Sequence, residues 1–222
     1  YTAYLVRQTQ FETDYPEFTK VTLGTSFSGR PIVAYRLGPV ARKHFVITSV
    51  VHGNEVDGLE GNFKAAQFLA REPEFGPFRS EYTLFWIPVC NPDGYFSDLR
   101  NLAHVGPNGQ TVNLNRNWDW FWPEYVESTL ESKGTVPESE AETLAILTYF
   151  RTGNSGGPVT FGALFDCHAN NGQGCRYQSR DRAGWRDVPS GSAGYVMHWF
   201  DAFTYRIWEA MNTRRLRPLA AP

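Results

Sequence analysis

The stretch from His44 to Arg71 constrains this chain most. His44–Val51, HFVITSVV, is almost continuously apolar and β-branched, as expected of a strand buried on both faces of a sheet. It runs directly into His52-Gly53-Asn54-Glu55. Beyond that tetrapeptide, Leu59, Phe63, Ala66 and Ala70 recur at steps of four, three and four. That spacing predicts an amphipathic helix over Asp57–Arg71, ended before Pro73.

Other segments extend the pattern. Val21–Phe27 and Pro31–Leu37 flank Ser28-Gly29-Arg30 and read as a hairpin. Tyr82–Val89 and Val159–Phe165 are two more apolar strands. Ser139-Glu140-Ala141-Glu142 has the form of a capping box, with Ser139 and Glu142 satisfying each other's amides. A helix is expected from there to about Arg151, ended by Gly153. Val196, Trp199, Phe200, Phe203, Ile207 and Ala210 mark one face of a last helix. The alternation predicts an α/β fold, with a mixed, mostly parallel central sheet and helices on both faces. Seven Trp, 11 Tyr and 16 Phe in 222 residues supply a real core. A single domain over residues 1–222 is expected, burying about 70% of the unfolded surface.

Composition also excludes functions. A formal net charge of -2 argues against nucleic-acid binding driven by phosphate attraction. The Arg214, Arg215 and Arg217 cluster reads as a solvated helix end. No apolar run reaches the roughly 18 residues of a membrane span. Three Cys are too few for a disulfide framework. A Cys167–Cys175 bridge stays open, and the compartment with it.

The chemistry concentrates at strand ends. His52 follows one apolar strand, and Glu55 lies three residues on, so imidazole and carboxylate can converge on one ion. His168 follows another apolar strand in Asp166-Cys167-His168. Both His then face the crevice where open α/β sheets bind ligands. Two His and one carboxylate, with a fourth position open to water, suit catalytic zinc. Asp166 is placed to orient the site from behind. Residues 91–138 are rich in Asn, Gly, Pro and Trp and hold no long periodic segment, the mark of a functional loop. Arg donors there, in Leu99-Arg100-Asn101 and Asn113-Leu114-Asn115-Arg116-Asn117-Trp118, suit recognition of a carboxylate. His44, His104 and His198 read as structural, and Trp118, Trp120 and Trp122 as loop packing.

Taken together, these motifs resemble the M14 zinc carboxypeptidases. The matching segments are Gly24-Thr25-Ser26, Ser28-Gly29-Arg30-Pro31-Ile32, His52-Gly53-Asn54-Glu55, Asn91-Pro92-Asp93-Gly94, Asn115-Arg116-Asn117, Pro137-Glu138-Ser139-Glu140 with Glu142-Thr143, and Asp166-Cys167-His168. They stand in the family's order and cover residues 15 to about 170. The resemblance implies one zinc ion per chain on His52, Glu55 and His168. It implies that Arg100 polarises a scissile carbonyl and that Asn115 and Arg116 hold a substrate's terminal carboxylate. The implied substrate is a peptide or peptide-like molecule with a free carboxylate.

Two departures stand out. Asn113 occupies a position where the family more often has Asp. The family's general-base Glu, on a late strand after a Thr-x-Glu pattern, has no counterpart; Glu209 is the sole Glu after His168 and falls on the polar side of the expected last helix. The domain is therefore expected to be C-terminally incomplete, with an uncovered sheet edge through which chains can associate. Two other functions remain: an N-acyl amino-acid amidohydrolase like succinylglutamate desuccinylase and aspartoacylase, and a non-catalytic zinc-binding module of a larger assembly.

Overall fold

The apolar run after Arg42 forms a strand, Lys43–Ser49, buried at every position but the first. In the computed structural model, residues 1–118, 122–123, 125–127, 129–153 and 157–168 are described, with the backbone of 178–181 and 184–187. In chain order the elements are α1 (Thr2–Asp14), β1 (Thr19–Thr25), β2 (Pro31–Leu37), β3 (Lys43–Ser49), α2 (Asp57–Arg71), α3 (Gly76–Glu81), β4 (Tyr82–Ile87), α4 (Pro92–Ser97), α5 (Ala141–Thr152), β5 (Phe161–Cys167), β6 (Gln178–Asp181) and β7 (Gly184–Asp187). They fall into two compact units, Tyr1–Cys175 and Arg176–Pro222. In the second, β6 and β7 pair antiparallel, Gln178 opposite Asp187.

The first unit is built on a five-stranded sheet of order β1-β2-β4-β3-β5. The sheet is mixed: β1/β2 and β2/β4 run antiparallel, β3/β4 and β3/β5 parallel. Successive residues of β4 show how both faces are covered. Trp86 meets Phe11 of α1 and Phe63 of α2, with ring centroids 5.4 and 4.7 Å away. Phe85 points the other way and stacks on Tyr149 of α5 at 4.2 Å. Because side chains alternate along a strand, these contacts put helices on opposite faces. Both rings are fully buried, and truncating either to Ala would cost about 3–5 kcal/mol.

The hairpin β1–β2 and helix α2 form where expected, and α5 ends at Gly153 in the left-handed conformation, φ 53°. The capping box does not form. Ser139 Oγ donates to Glu140 Oε1 at 2.6 Å, and Glu142 Oε1 accepts from the Phe27 amide at 3.1 Å. A tertiary partner has displaced the local one. Helix α1 carries no apolar stripe legible in the sequence, because Gln8 shares its buried face with Tyr4 and Phe11. The last helix expected around Val196–Ala210, with Cys175, His198, Glu209 and the Arg214–Arg217 cluster, lies outside the described residues.

Parallel pairing positions the site. Thr48 stands opposite Asp166 and Ser49 opposite Cys167, so β3 and β5 end level with each other. His168 follows β5 directly. The chain leaving β3 turns sharply at Val50, a buried β-branched residue with φ 53°. Such a conformation costs about 1–3 kcal/mol and persists only where the surroundings impose it. Its effect is to swing His52 back toward the end of β5.

Candidate metal centre

His52, Glu55 and His168 come together. Their potential ligand atoms all lie within 4.8 Å of one another. His52 Nδ1 is 2.9 Å from Glu55 Oε1, and His168 Nδ1 is 2.8 Å from Glu55 Oε2. The two Nδ1 atoms are 3.1 Å apart. Both imidazoles are buried, at 3% and 7% exposure. Such proximity requires a proton or a cation between the nitrogens, since two lone pairs cannot face each other there.

The outer ring nitrogens show which it favours. His168 Nε2 lies 2.8 Å from Asp166 Oδ2, and Asp166 Oδ1 accepts from the Thr48 hydroxyl at 2.8 Å. His52 Nε2 lies 3.1 Å from Asn113 Oδ1. Both acceptors take an Nε2–H, which leaves each Nδ1 facing inward to hold either a proton or a cation. This is how metal-binding imidazoles are held. Burial would push His168 down, but the Asp166 and Glu55 carboxylates raise its pKa to about 10. Burial would raise Glu55, but hydrogen bonds from His168 and His52 hold its carboxyl well below the usual carboxylate range. The pocket thus favours positive charge between buried ligands, and its two nitrogens and one carboxylate suit zinc.

Arg100 and Arg116 flank this centre. Arg100 is half-exposed, and NH1 donates to Glu55 Oε1 at 2.6 Å. Asn115 brings its side-chain amide within 3.4 Å of His168 Nε2. Arg116 NH1 donates to the Asn115 carbonyl at 3.2 Å. Its Nε is buried, 3.5 Å from Glu131 Oε1, without a hydrogen bond among the described residues. All six residues singled out in the sequence therefore lie in one neighbourhood. Glu131 and Thr48, which also contact it, were not legible: neither stands in a motif or at an informative spacing.

Other motifs turn out to hold the scaffold. Gly53 is pressed so hard against α4 that a Cβ there would sit 2.1 Å from Gly94 C and 2.4 Å from Leu99 O. Its amide donates to the Arg100 carbonyl at 3.1 Å, so this contact fixes Arg100 relative to Glu55. Asp93 accepts from Ser26 Oγ, the Ser28 amide and Arg30 NH1 at 2.9, 2.9 and 2.6 Å, pinning the β1–β2 turn to α4. His44 Nδ1 and Nε2 contact the Arg42 carbonyl and the Tyr149 hydroxyl, and His104 pairs with Glu140 at 2.6 Å. Trp122 Nε1 donates to the Lys133 carbonyl at 3.1 Å, and Trp118 packs on the core; Trp120 is outside the described residues. Cys90 and Cys167 are buried thiols, Cys167 donating to Asn62 Oδ1 at 3.5 Å.

Residues 6–179 match the family model described as zinc carboxypeptidase. The chain belongs to that family. Rat carboxypeptidase A2 is 27% identical over 151 residues, 60% of this chain and 36% of the rat protein. A fungal relative from Uncinocarpus reesii, named inactive metallocarboxypeptidase ECM14, is 25% identical over 179 residues, 69% of this chain and 30% of its own. The crystal structure of carboxypeptidase A from Helicoverpa armigera superposes with a TM-score of 0.62 at 22% identity, covering 73% of this chain and 44% of that one. The chain therefore spans about a third of the length of these two relatives.

Proposed function

We propose that this chain is the zinc-binding part of a metallocarboxypeptidase that hydrolyses the peptide or amide bond beside a free C-terminal carboxylate. One observation carries the reading: three buried ligand atoms converge while the outer nitrogens of both imidazoles are already engaged by acceptors. His52, Glu55 and His168 would hold a single zinc ion. Bound there, zinc would supply Lewis acidity, making water ionise near neutral pH and polarising a carbonyl.

The chain's own groups do the rest. Arg100, half-exposed and beside Glu55, has donors to spare for the oxyanion that develops at the scissile carbonyl. One such donor is worth about 3 kcal/mol. Asn115 lies beside His168, and the adjoining Arg116 carries a planar guanidinium that can grip a carboxylate bidentately. The carboxylate anchor and the oxyanion donor then orient the substrate from two directions.

A second reading is favoured by a specific observation. Among the described residues near the centre, every carboxylate is engaged: Glu55 by both imidazoles, Asp166 by His168 and Thr48, and Glu131 by Asn113 and Tyr125. None is left as a general base, and one relative is itself named inactive. A non-catalytic zinc-binding module is the alternative. The test is hydrolysis of peptides with free, against amidated, C-termini, with N-acyl amino acids as a third set. Turnover of free-acid peptides alone, lost with a chelator and restored by zinc, supports the carboxypeptidase. Zinc binding without turnover supports the module, and turnover of N-acyl amino acids alone overturns both.

A further inference from the structure

Glu131 belongs to no motif, yet it contacts both halves of the site. Its side chain is 16% exposed. Oε2 accepts from Asn113 Nδ2 at 2.5 Å, and Oε1 accepts from the Tyr125 hydroxyl. Arg116 Nε lies 3.5 Å from the same Oε1, and its guanidinium sits 4.9 Å over the Tyr125 ring.

Asn113 is fully buried and has one workable orientation. A carboxylate can only accept, so Nδ2 must face Glu131. Oδ1 then faces inward, where it accepts from the Asn115 amide at 2.9 Å and lies 3.1 Å from His52 Nε2. His52 Nε2 must therefore carry the proton, and its Nδ1 must be the lone pair aimed at the metal. The chain of constraint runs from Glu131 through the Asn113 amide to the ligand atom. Burial would raise the Glu131 carboxyl, but hydrogen bonds from Tyr125 and Asn113 and the charges of Arg116 and Arg100 hold it below the usual range. It is thus a permanent anion at neutral pH, able to polarise the amide that links it to His52.

We propose that Glu131 is a positioning residue for both halves of the site: through Asn113 it sets His52 for the metal, and directly it holds Arg116 for the substrate carboxylate. This rests on the zinc reading of His52, Glu55 and His168. The side chain left by Glu131→Gln cannot serve both halves: the Arg116 guanidinium and the Tyr125 hydroxyl draw its amide oxygen, which leaves its NH2 against the Asn113 NH2. Adding Asn113→Asp restores the metal half alone. The two oxygens of the introduced carboxylate can take the His52 Nε2–H and a hydrogen from the amide introduced by Glu131→Gln, with the donor direction reversed.

The experiment is a zinc titration against a chromophoric chelator, on the purified chain at one pH. Glu131→Gln should bind zinc about 10-fold more weakly, the low end for outer partners of a metal ligand. Asn113→Asp combined with Glu131→Gln should return to within about 3-fold of wild type. On the zinc-loaded chains, affinity for a free-acid dipeptide should fall in Glu131→Gln and stay low in the double variant. A purely structural role moves both affinities together and predicts no such split. Glu131→Gln within about 2-fold of wild type, or a double variant no better than Glu131→Gln, overturns the proposal. His168→Ala in the same titration separates the readings. If it loses zinc while Glu131→Gln does not, only Glu131 is misassigned. If wild type itself takes up no zinc, both readings fall.

Discussion

Two buried carboxylates in this molecule look alike and behave differently. Asp93 and Glu55 each have at least three polar groups within hydrogen-bonding distance, one of them an Arg. Around Asp93 every donor brings its own hydrogen: a hydroxyl, a backbone N–H and a guanidinium. That carboxylate is saturated and closed, and Arg30 caps it by lying 3.9 Å from the Phe96 ring. Around Glu55 two of the three neighbours are imidazole nitrogens whose own protons are committed elsewhere, to Asn113 and Asp166. That cluster favours a proton or a cation at its centre. Residue types alone do not separate the clamp from the site; what does is where each neighbour's proton already points.

The comparison breaks first at Asp93. Asp93→Ala should cost about 3 kcal/mol in urea unfolding, the low end for breaking a buried ion pair because Arg30 keeps a quarter of its side chain in water. Zinc content should not change. Burial would raise the Asp93 carboxyl, but the Ser28, Ser26 and Arg30 donors lower it. A lowered folded pKa gives stability that is present above the unfolded value, about 3.9, and lost as pH falls through the folded one. The gap between wild type and Asp93→Ala should therefore hold from pH 7 to about 5 and shrink below pH 4. A constant gap would mean that Asp93 acts through packing rather than charge.

Gly53 joins the two regions and should respond on both counts. Gly53→Ala forces α4 and residue 99 away from the His52 loop. A loss of about 2–3 kcal/mol in stability is expected, as for an overpacked core, together with weaker zinc binding. Full stability would show that the close approach is not needed. The smallest expected effect sharpens the far side of the site. Arg116→Ala should weaken binding of a free-acid peptide by about 1.5–2 kcal/mol, since a third of the side chain is exposed. Isothermal titration should find amidated peptides nearly unaffected. Equal losses for acid and amide would remove Arg116 from carboxylate recognition.

Legibility in the sequence followed the same divide. The His44–Val51 run and the four-three-four spacing of α2 report burial, which acts residue by residue; the helix formed where its spacing put it, and the strand formed over Lys43–Ser49, with the chain turning at Val50. His52 and His168 were legible because a polar residue ending an apolar strand has few other reasons to be there. Helix α1 was not, since Gln8 on its buried face interrupts the stripe. The capping box misled because Glu142 gains more from the Phe27 amide, 115 positions away in sequence, than from its own turn. Glu131 was illegible for the reason that makes it informative: its partners come from three places in the irregular region and share no period.

Metal content tests the contrast between closed and open carboxylates most directly. Wild type, Asp93→Ala and His168→Ala would each be loaded with zinc, desalted and measured by elemental analysis. The account predicts one zinc ion per chain in wild type and in Asp93→Ala, and none retained in His168→Ala. Equal zinc in wild type and His168→Ala, or none in wild type after loading, would contradict it.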